Sequence, residues 1–561
     1  MGKTDYAQLT VHQLIDTWNE LSNCISKHPE KLIEIQTNYW QDYINLFQDI
    51  GSNESQNNND NVDKRFNYKD WQENISLHFI KQSYLLFAEH VNNAIKNITE
   101  DADEKAANKI KFYSRQFTDA ISPTNFAHIN PEVLSKTLES NGVNLIMGMK
   151  QFLEDIERGN GQLNIQNTHL KHFNLGEDIA CTPGKVVYQN DVMQLIHYTA
   201  STEEIYQVPL LIIPPWINKY YILDLQPENS LVKWLVDQGF SVFMISWVNA
   251  NSQHREKQFS DYMQEGPLAA LDIIKKITQE DEVNMVGYCI GGTLLSCMLA
   301  YLAKKNEAPV KSATFLTTLL DFSEPGELGV FIDETQVNQL EQLMKKNGYL
   351  DGNVMALVFN ALRANDLIWS AFVNNYLKGQ QPKPFDMLYW NADSTNIPEK
   401  VHLFYLRNMY LNNNLIQSNK IKLVNVPIDL NIIKTPSYFL AAQDDHIVPW
   451  QAAYKSSQYY GGKVKFTLTS SGHVAGVVNP PHKNKYGYWT NSKTHQGPET
   501  FLSTAKFTQG SWWNDWIIWL KKYSGKIKPI YYSDKSKHDF IENAPGSYVK
   551  IRIKEPQQKE E

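Results

Sequence analysis

Val283-Asn284-Met285-Val286-Gly287-Tyr288-Cys289-Ile290-Gly291-Gly292 is the stretch on which the fold turns. Its first six residues make a short apolar run of strand length, and the uncharged residues that follow, to about Lys304, read as an apolar helix. Between them, Gly287-Tyr288-Cys289-Ile290-Gly291 fits the pattern G-x-S-x-G with Cys in place of Ser, that of a nucleophile carried on a strand-to-helix turn. So tight a turn strains the backbone of the nucleophile, and the flanking residues must lack bulk for the helix to pack close to the neighbouring strands. Residues 285–303 also imitate a membrane span, since they hold no charge and nearly reach the required length. The clustered glycines suit a sharp buried turn better, so no span is expected. Cys297, on the following helix, reads as a buried structural thiol.

Outward from this turn, short apolar runs alternate with helical segments from about Leu175. Residues 208–213 read as a strand closed by Pro214-Pro215, and 241–247 as a second, with a helix over 230–238 between them. Residues 313–320 and 437–442 supply two more strands. Strands alternating with helices imply a parallel sheet covered on both faces. Residues 321–430 break the rhythm with helical, aromatic-rich sequence and read as an insertion. Upstream the chain is helical, with Leu14, Trp18 and Leu21 on one stripe and Ile80, Tyr84, Phe87 and Val91 on another, both read as core packing. A further helical run, 133–158, ends at Gly159-Asn160-Gly161, and the Asn- and Ser-rich residues 51–62 read as a flexible linker. The expected organisation is a helical N-terminal domain over 1–174 and an α/β catalytic domain over 175–561, with a cap inserted at about 321–430.

The chain has 561 residues, 53 basic and 61 acidic, for a formal charge of −8. That balance argues against a nucleic-acid partner, which needs a concentrated basic surplus. A hydrophobic share of 42% leaves ample material for buried cores and excludes a mainly disordered polymer. The four cysteines Cys24, Cys181, Cys289 and Cys297 form no C-x-x-C pair and fit a reducing cytoplasm. Neither a signal peptide nor a myristoylation signal is recognisable at the N-terminus, so export is not expected. No H-E-x-x-H or other ligand spacing suggests a metal.

A thiol nucleophile needs a base, and the base an orienting acid; on this kind of turn both follow the nucleophile, acid first. After the strand ending near Ala442 comes Gln443-Asp444-Asp445-His446-Ile447-Val448-Pro449-Trp450, and 28 residues beyond Asp445 comes Ser471-Gly472-His473-Val474-Ala475-Gly476. Each lies in a loop just after an expected strand, where a parallel sheet collects its catalytic groups. Asp444 competes with Asp445 as the acid, and His446 with His473 as the base. A His beside the acid on the same loop is poorly placed both to accept orientation from it and to reach Cys289, which favours His473. The turn also implies an oxyanion hole built from the Ile290 N–H and an N–H of the Pro214-Pro215-Trp216-Ile217 loop. Neither proline has an N–H, so the second donor falls to Trp216 or Ile217, and Ile217 is carried forward.

With these residues in hand the chain resembles the polyhydroxyalkanoate synthases, most closely their class I, single-subunit form. The resemblance rests on residues 214–225, the Gly-Tyr-Cys-Ile-Gly-Gly box, Asp445-His446-Ile447-Val448-Pro449-Trp450 and Ser471-Gly472-His473-Val474-Ala475-Gly476. Asn365-Asp366-Leu367-Ile368-Trp369, Pro384-Phe385-Asp386, Asn479-Pro480-Pro481 and Gly510-Ser511-Trp512-Trp513 extend it. It implies an α/β-hydrolase fold with an inserted cap, and a cytoplasmic enzyme at the surface of a polyester granule. It further implies a homodimer that polymerises (R)-3-hydroxyacyl groups from coenzyme A thioesters, with CoA released and no cofactor of its own. Cys289 is then the covalent nucleophile, His473 the base and Asp445 the acid, with Asp224 and His446 in supporting roles. The cap is implied to cover the pocket and contribute to dimerisation. Ser246-Trp247-Val248-Asn249 departs from the family's Ser-Trp-Arg-Asn, and bulky Trp216 is expected to narrow an access path. Ala475 after the catalytic His matches class I and points to short side chains such as 3-hydroxybutyryl. The rival readings are a Cys-dependent thioesterase or esterase on the same residues and, in another class, a granule-coating structural protein.

Overall fold

The computed structural model describes residues 3–51, 63–159, 161, 163–492, 497–530 and 540–553, with side chains from residue 13 onward. The expected linker beyond Gly51 lies outside them. The chain divides into two compact units, one built on Met1–His169 with Leu357–Pro384, the other on Leu170–Ala356 with Phe385–Ile553.

The first unit is helical, with its main helices at Lys3–Lys27, Pro29–Gly51, Ile75–Ile98, Glu104–Ala120, Pro131–Glu139 and Val143–Arg158. Asn74, Asp103 and Asn130 cap three of these by accepting the first free N–H groups. The run expected as one helix over 133–158 is two, because Asn141 and Gly142 take left-handed backbone angles, φ 50° and 83°. The two apolar stripes fare differently. Tyr84 is buried with Phe66 and Trp71, whereas Leu14 and Trp18 are 48% and 68% exposed. The first helix is rotated so that Thr17 is buried and Gln13 takes a hydrogen bond from Tyr113 Oη at 2.8 Å, which turns the Leu14–Trp18 stripe outward.

The second unit is organised by an eleven-stranded sheet. Its strands in chain order are β1 (Gly184–Gln189), β2 (Met193–Tyr198), β3 (Leu210–Ile213), β4 (Val242–Trp247), β5 (Val283–Tyr288), β6 (Val310–Leu316), β7 (Ser437–Ala442), β8 (Val464–Thr469), β9 (Gly487–Thr490), β10 (Lys506–Gln509) and β11 (Glu542–Asn543). They lie in the order β10-β9-β8-β7-β6-β5-β3-β4-β2-β1-β11. The six strands from β4 across to β8 are parallel, and β3, β4, β5 and β7 are buried along their whole length. This is why they read as near-continuous apolar runs. The antiparallel pairs at both flanks, β1–β2 and β9–β10, carried no comparable signal. The order is that of the α/β-hydrolase fold, with chain reversal across β3 and β4 and β5, the strand that leads into Cys289, at the centre. The helix Ile290–Lys304 follows β5 and is buried through Leu302, which accounts for a charge-free stretch that spans no membrane. Among the described residues, no helix is long and apolar enough to cross one.

Between β6 and β7 the chain runs through short helices, of which Glu334–Asn347, Asp386–Asn391 and Glu399–Tyr405 belong to the sheet unit. Leu357–Pro384, in the middle of that stretch, belongs to the helical unit.

Candidate active site

Cys289 sits between β5 and its helix at φ 53°, ψ −123°, a left-handed conformation that a side chain adopts only when its surroundings impose it. The imposition is visible. Its N–H donates to Leu316 O at 2.9 Å, and its own carbonyl accepts the N–H of Gly292 at 2.9 Å. A methyl group at Gly291 would lie 2.3 Å from Ile213 O, and one at Gly292 would lie 2.1 Å from Thr318 Oγ1. These glycines therefore let the helix start hard against the end of β3 and the loop after β6. Ile290 is the first helical residue, and its N–H has no intrahelical acceptor.

The expected acid and base lie in the loops after β7 and β8, which are zipped together by Gln443 N–H to Thr469 O and Asp444 N–H to Ser471 O, at 2.8 and 2.9 Å. Asp445 is buried and Asp444 exposed. One carboxylate oxygen of Asp445 accepts the N–H groups of Ile447 and Val448 at 2.9 and 2.8 Å, and the other lies 2.7 Å from His473 Nδ1. With Nδ1 donating to Asp445, Nε2 is the nitrogen left to exchange a proton, donating while the ring is charged and accepting once it is neutral. Burial disfavours a charged imidazole, but the charges and hydrogen bonds of Asp445 and then Cys289 outweigh it and push His473 up to about 10. Cys289, Asp445 and His473 thus form one electrostatic unit. Asp445's carboxylate bonds go to His473 and its own loop, and His446 contributes its backbone carbonyl to Glu327 N–H at 3.2 Å.

Asp224 has partners of its own: its carboxylate accepts from Thr182 Oγ1 and Ser230 Oγ at 2.5 and 2.6 Å. Burial pushes its carboxyl up to about 6, against the pull of the Ser230 and Thr182 hydroxyls. Its backbone carbonyl also accepts Ala180 N–H at 2.9 Å, so it braces the segment that leads into β1. Trp216, expected on an access path, is buried in an aromatic cluster with Trp247, Phe259 and Tyr262, ring centroids 5.7, 6.0 and 5.2 Å away.

A family model described as "Poly-beta-hydroxybutyrate polymerase (PhaC) N-terminus" matches residues 62–235, and one described as "alpha/beta hydrolase fold" matches residues 208–480. The poly(3-hydroxyalkanoate) polymerase subunit PhaC of Rhizobium etli is 48% identical over 87% of this chain and 77% of its own. The chain belongs to the poly(3-hydroxyalkanoate) polymerase family. The subunit of Rhizobium meliloti is 44% identical over 98% of this chain and 90% of its own, and that of Cupriavidus necator 40% over 93% and 89%. An enzyme of the acyltransferase type on an α/β-hydrolase scaffold follows from this membership.

Several motifs of this polymerase-family chain acquire a physical role once the site is assembled. Trp512 and Trp513 donate their indole N–H groups to the carbonyls of Gly476 and Val477, at 2.9 to 3.1 Å. They thereby clamp the loop that carries His473. Tyr288 donates from its hydroxyl to His473 O at 3.2 Å and stacks its ring on the imidazole, centroids 5.6 Å apart. From the insertion, Tyr405 and the half-buried Tyr410 form an aromatic cluster with Phe322, centroids 5.0 to 5.8 Å apart. Burial raises both phenols. For Tyr405 the charge of Tyr410 and then that of Cys289 add to it, and for Tyr410 that of Cys289, so both stay neutral. The sequence pointed to none of these three tyrosines. Tyr288 lies inside the turn motif, but Tyr405 and Tyr410 come from a distant helix without a local signature.

Proposed function

We propose that this chain polymerises (R)-3-hydroxyacyl groups from coenzyme A thioesters into polyhydroxyalkanoate, releasing CoA through an acyl thioester on Cys289. The observation that carries the reading is the Asp445–His473 contact at 2.7 Å, with His473 held above its ordinary value by Asp445 and Cys289 together. In this scheme His473 takes the proton of Cys289 and the sulfur attacks the acyl carbonyl. The developing oxyanion is met by the N–H groups of Ile290 and Ile217, and CoA leaves as its thiol. A 3-hydroxyl of a chain end or incoming monomer, deprotonated by His473, then attacks the acyl–cysteine. Substrate and acyl-enzyme are both thioesters, so the first transfer is nearly thermoneutral and no cofactor is required. Water is the competing acceptor, and limiting its access to the acyl–cysteine is what favours an alcohol.

Ala475 supports short side chains, with 3-hydroxybutyryl-CoA the first substrate to try. Cytoplasmic residence, attachment to the polyester granule and a homodimer complete the proposal, as the resemblance implies. Purified chain incubated with (R)-3-hydroxybutyryl-CoA tests it, with free thiol and insoluble polyester followed together. Thiol release with polymer is expected. Thiol release with only the monomeric acid would make the chain a thioesterase on the same residues.

A further inference from the structure

The loop after β3 shows an unusual pattern in where its carbonyls go. Pro214 O accepts the Trp247 indole N–H at 2.8 Å, and Lys219 O the Trp390 indole N–H at 2.7 Å. Between them, a single residue of the insertion takes two successive carbonyls. The Thr395 N–H donates to Ile217 O at 3.0 Å and its hydroxyl to Trp216 O. Thr395 is buried, and the neighbouring pair Asn218 and Ser394 forms an isolated antiparallel bridge. All these residues lie in the sheet unit.

A trans peptide points its C=O and N–H in opposite directions. Fixing Trp216 O on the Thr395 hydroxyl therefore fixes the Ile217 N–H on the opposite side of the same plane. The loop begins at Ile213 and Pro214, the residues whose carbonyls bound the space at Gly291, so it adjoins the start of the nucleophile helix. The peptide that carries the Trp216 N–H has Pro215 O at its other end, and among the described residues no hydrogen bond holds that carbonyl. Of the two candidate donors, Ile217 is the one held in place before substrate arrives, which is what an oxyanion hole requires.

We infer that Thr395 is a positioning residue that presets the Ile217 N–H for the oxyanion through its hydroxyl bond to Trp216 O. The inference rests on the proposed acyl transfer at Cys289. Because Thr395 belongs to the insertion, it ties the readiness of the oxyanion hole to the seating of that segment.

Thr395→Val keeps the shape and the backbone N–H and removes only the hydroxyl, and two rates on Cys289 read the effect. Acylation by (R)-3-hydroxybutyryl-CoA in a single turnover needs the oxyanion hole, whereas alkylation by iodoacetamide needs only the sulfur and His473. Acylation is expected to fall by about 10- to 100-fold, with alkylation unchanged within about 2-fold, and Thr395→Ser is expected to restore acylation. Should Thr395→Val fold poorly, Thr395→Ala is read by the same ratio of rates. Unchanged acylation, or acylation and alkylation falling in parallel, overturns the inference. A wild-type chain that is alkylated but takes no acyl group from the thioester overturns the functional proposal instead, and the role of Thr395 with it.

Discussion

Replacing Asp445 with Asn removes the charge that holds a proton on His473 while leaving an oxygen to accept the N–H groups of Ile447 and Val448. His473 stands at about 10 against an ordinary 6.5, despite burial that works the other way. Asp445, ahead of Cys289, holds it there against burial. Loss of the Asp445 charge is expected to bring His473 down. If the amide presents its NH2 group to Nδ1, that nitrogen becomes an acceptor and Nε2 carries the proton. The ring is then in the wrong tautomer to serve Cys289, which costs on the order of 10² to 10⁴ in rate. Alkylation by iodoacetamide from pH 5 to 10, with the modified cysteine identified by mass spectrometry, reads this directly. Alkylation of Cys289 is expected to be slower in Asp445→Asn than in wild type across neutral pH, by on the order of 10²-fold. The exposed neighbour Asp444, replaced in the same way, is expected to leave the profile untouched. Stability moves with the same group: a raised histidine stabilises the fold fully below 6.5, and the contribution is lost as pH rises through about 10. An Asp445→Asn profile that overlays wild type, or an equal effect from Asp444→Asn, would refute the pairing.

Cys289→Ala is expected to abolish both CoA release and polymer; turnover above about 1% of wild type would mean another nucleophile. Gly291→Ala places a methyl group 2.3 Å from Ile213 O and 2.8 Å from Pro214 O. It is expected to lower the thermal midpoint, with a cost of about 1–3 kcal/mol, and to cut acylation more than alkylation; a variant with wild-type acylation would show that the helix start tolerates displacement. Asp224 is raised from 3.8 to about 6, so the folded state holds its proton more tightly and stability falls as pH rises through that window, by roughly 3 kcal/mol. Asp224→Asn lacks this penalty. Its melting temperature relative to wild type is expected to be higher at pH 7.5 than at pH 4.5, and a difference independent of pH would place the strain elsewhere.

How far the chain could be read before folding depended on whether a constraint was local. A nucleophile on a tight turn needs small residues at fixed offsets, so Gly287, Gly291 and Gly292 announce both the turn and the strand before it. Fully buried parallel strands need continuous apolar runs, and 283–288 and 437–442 are the strands the sequence suggested, residue for residue. The third central strand slipped: 313–320 was expected where Val310–Leu316 forms, because the apolar residues after Leu316 pack in the following loop. Flanking strands such as β1 and β9 went unread, since half-buried antiparallel pairs alternate and take their stability from a partner far along the chain.

Residue order and spacing alone sufficed for the strand-to-helix turn, the α/β class, and the candidates Cys289, Asp445 and His473, because each is written in a contiguous motif. Spacing left Asp444 and Asp445 both open and only the resemblance favoured Asp445; burial and the 2.7 Å contact to His473 give the physical difference between them. Folding also gave Asp224 the hydroxyls of Thr182 and Ser230 as partners and buried Trp216 among aromatic rings. It brought Tyr288 onto His473 and put Thr395 against the carbonyls of Trp216 and Ile217. These relations join residues up to about 180 positions apart. Chain connectivity says nothing about such pairs until the sheet brings its loops to one end.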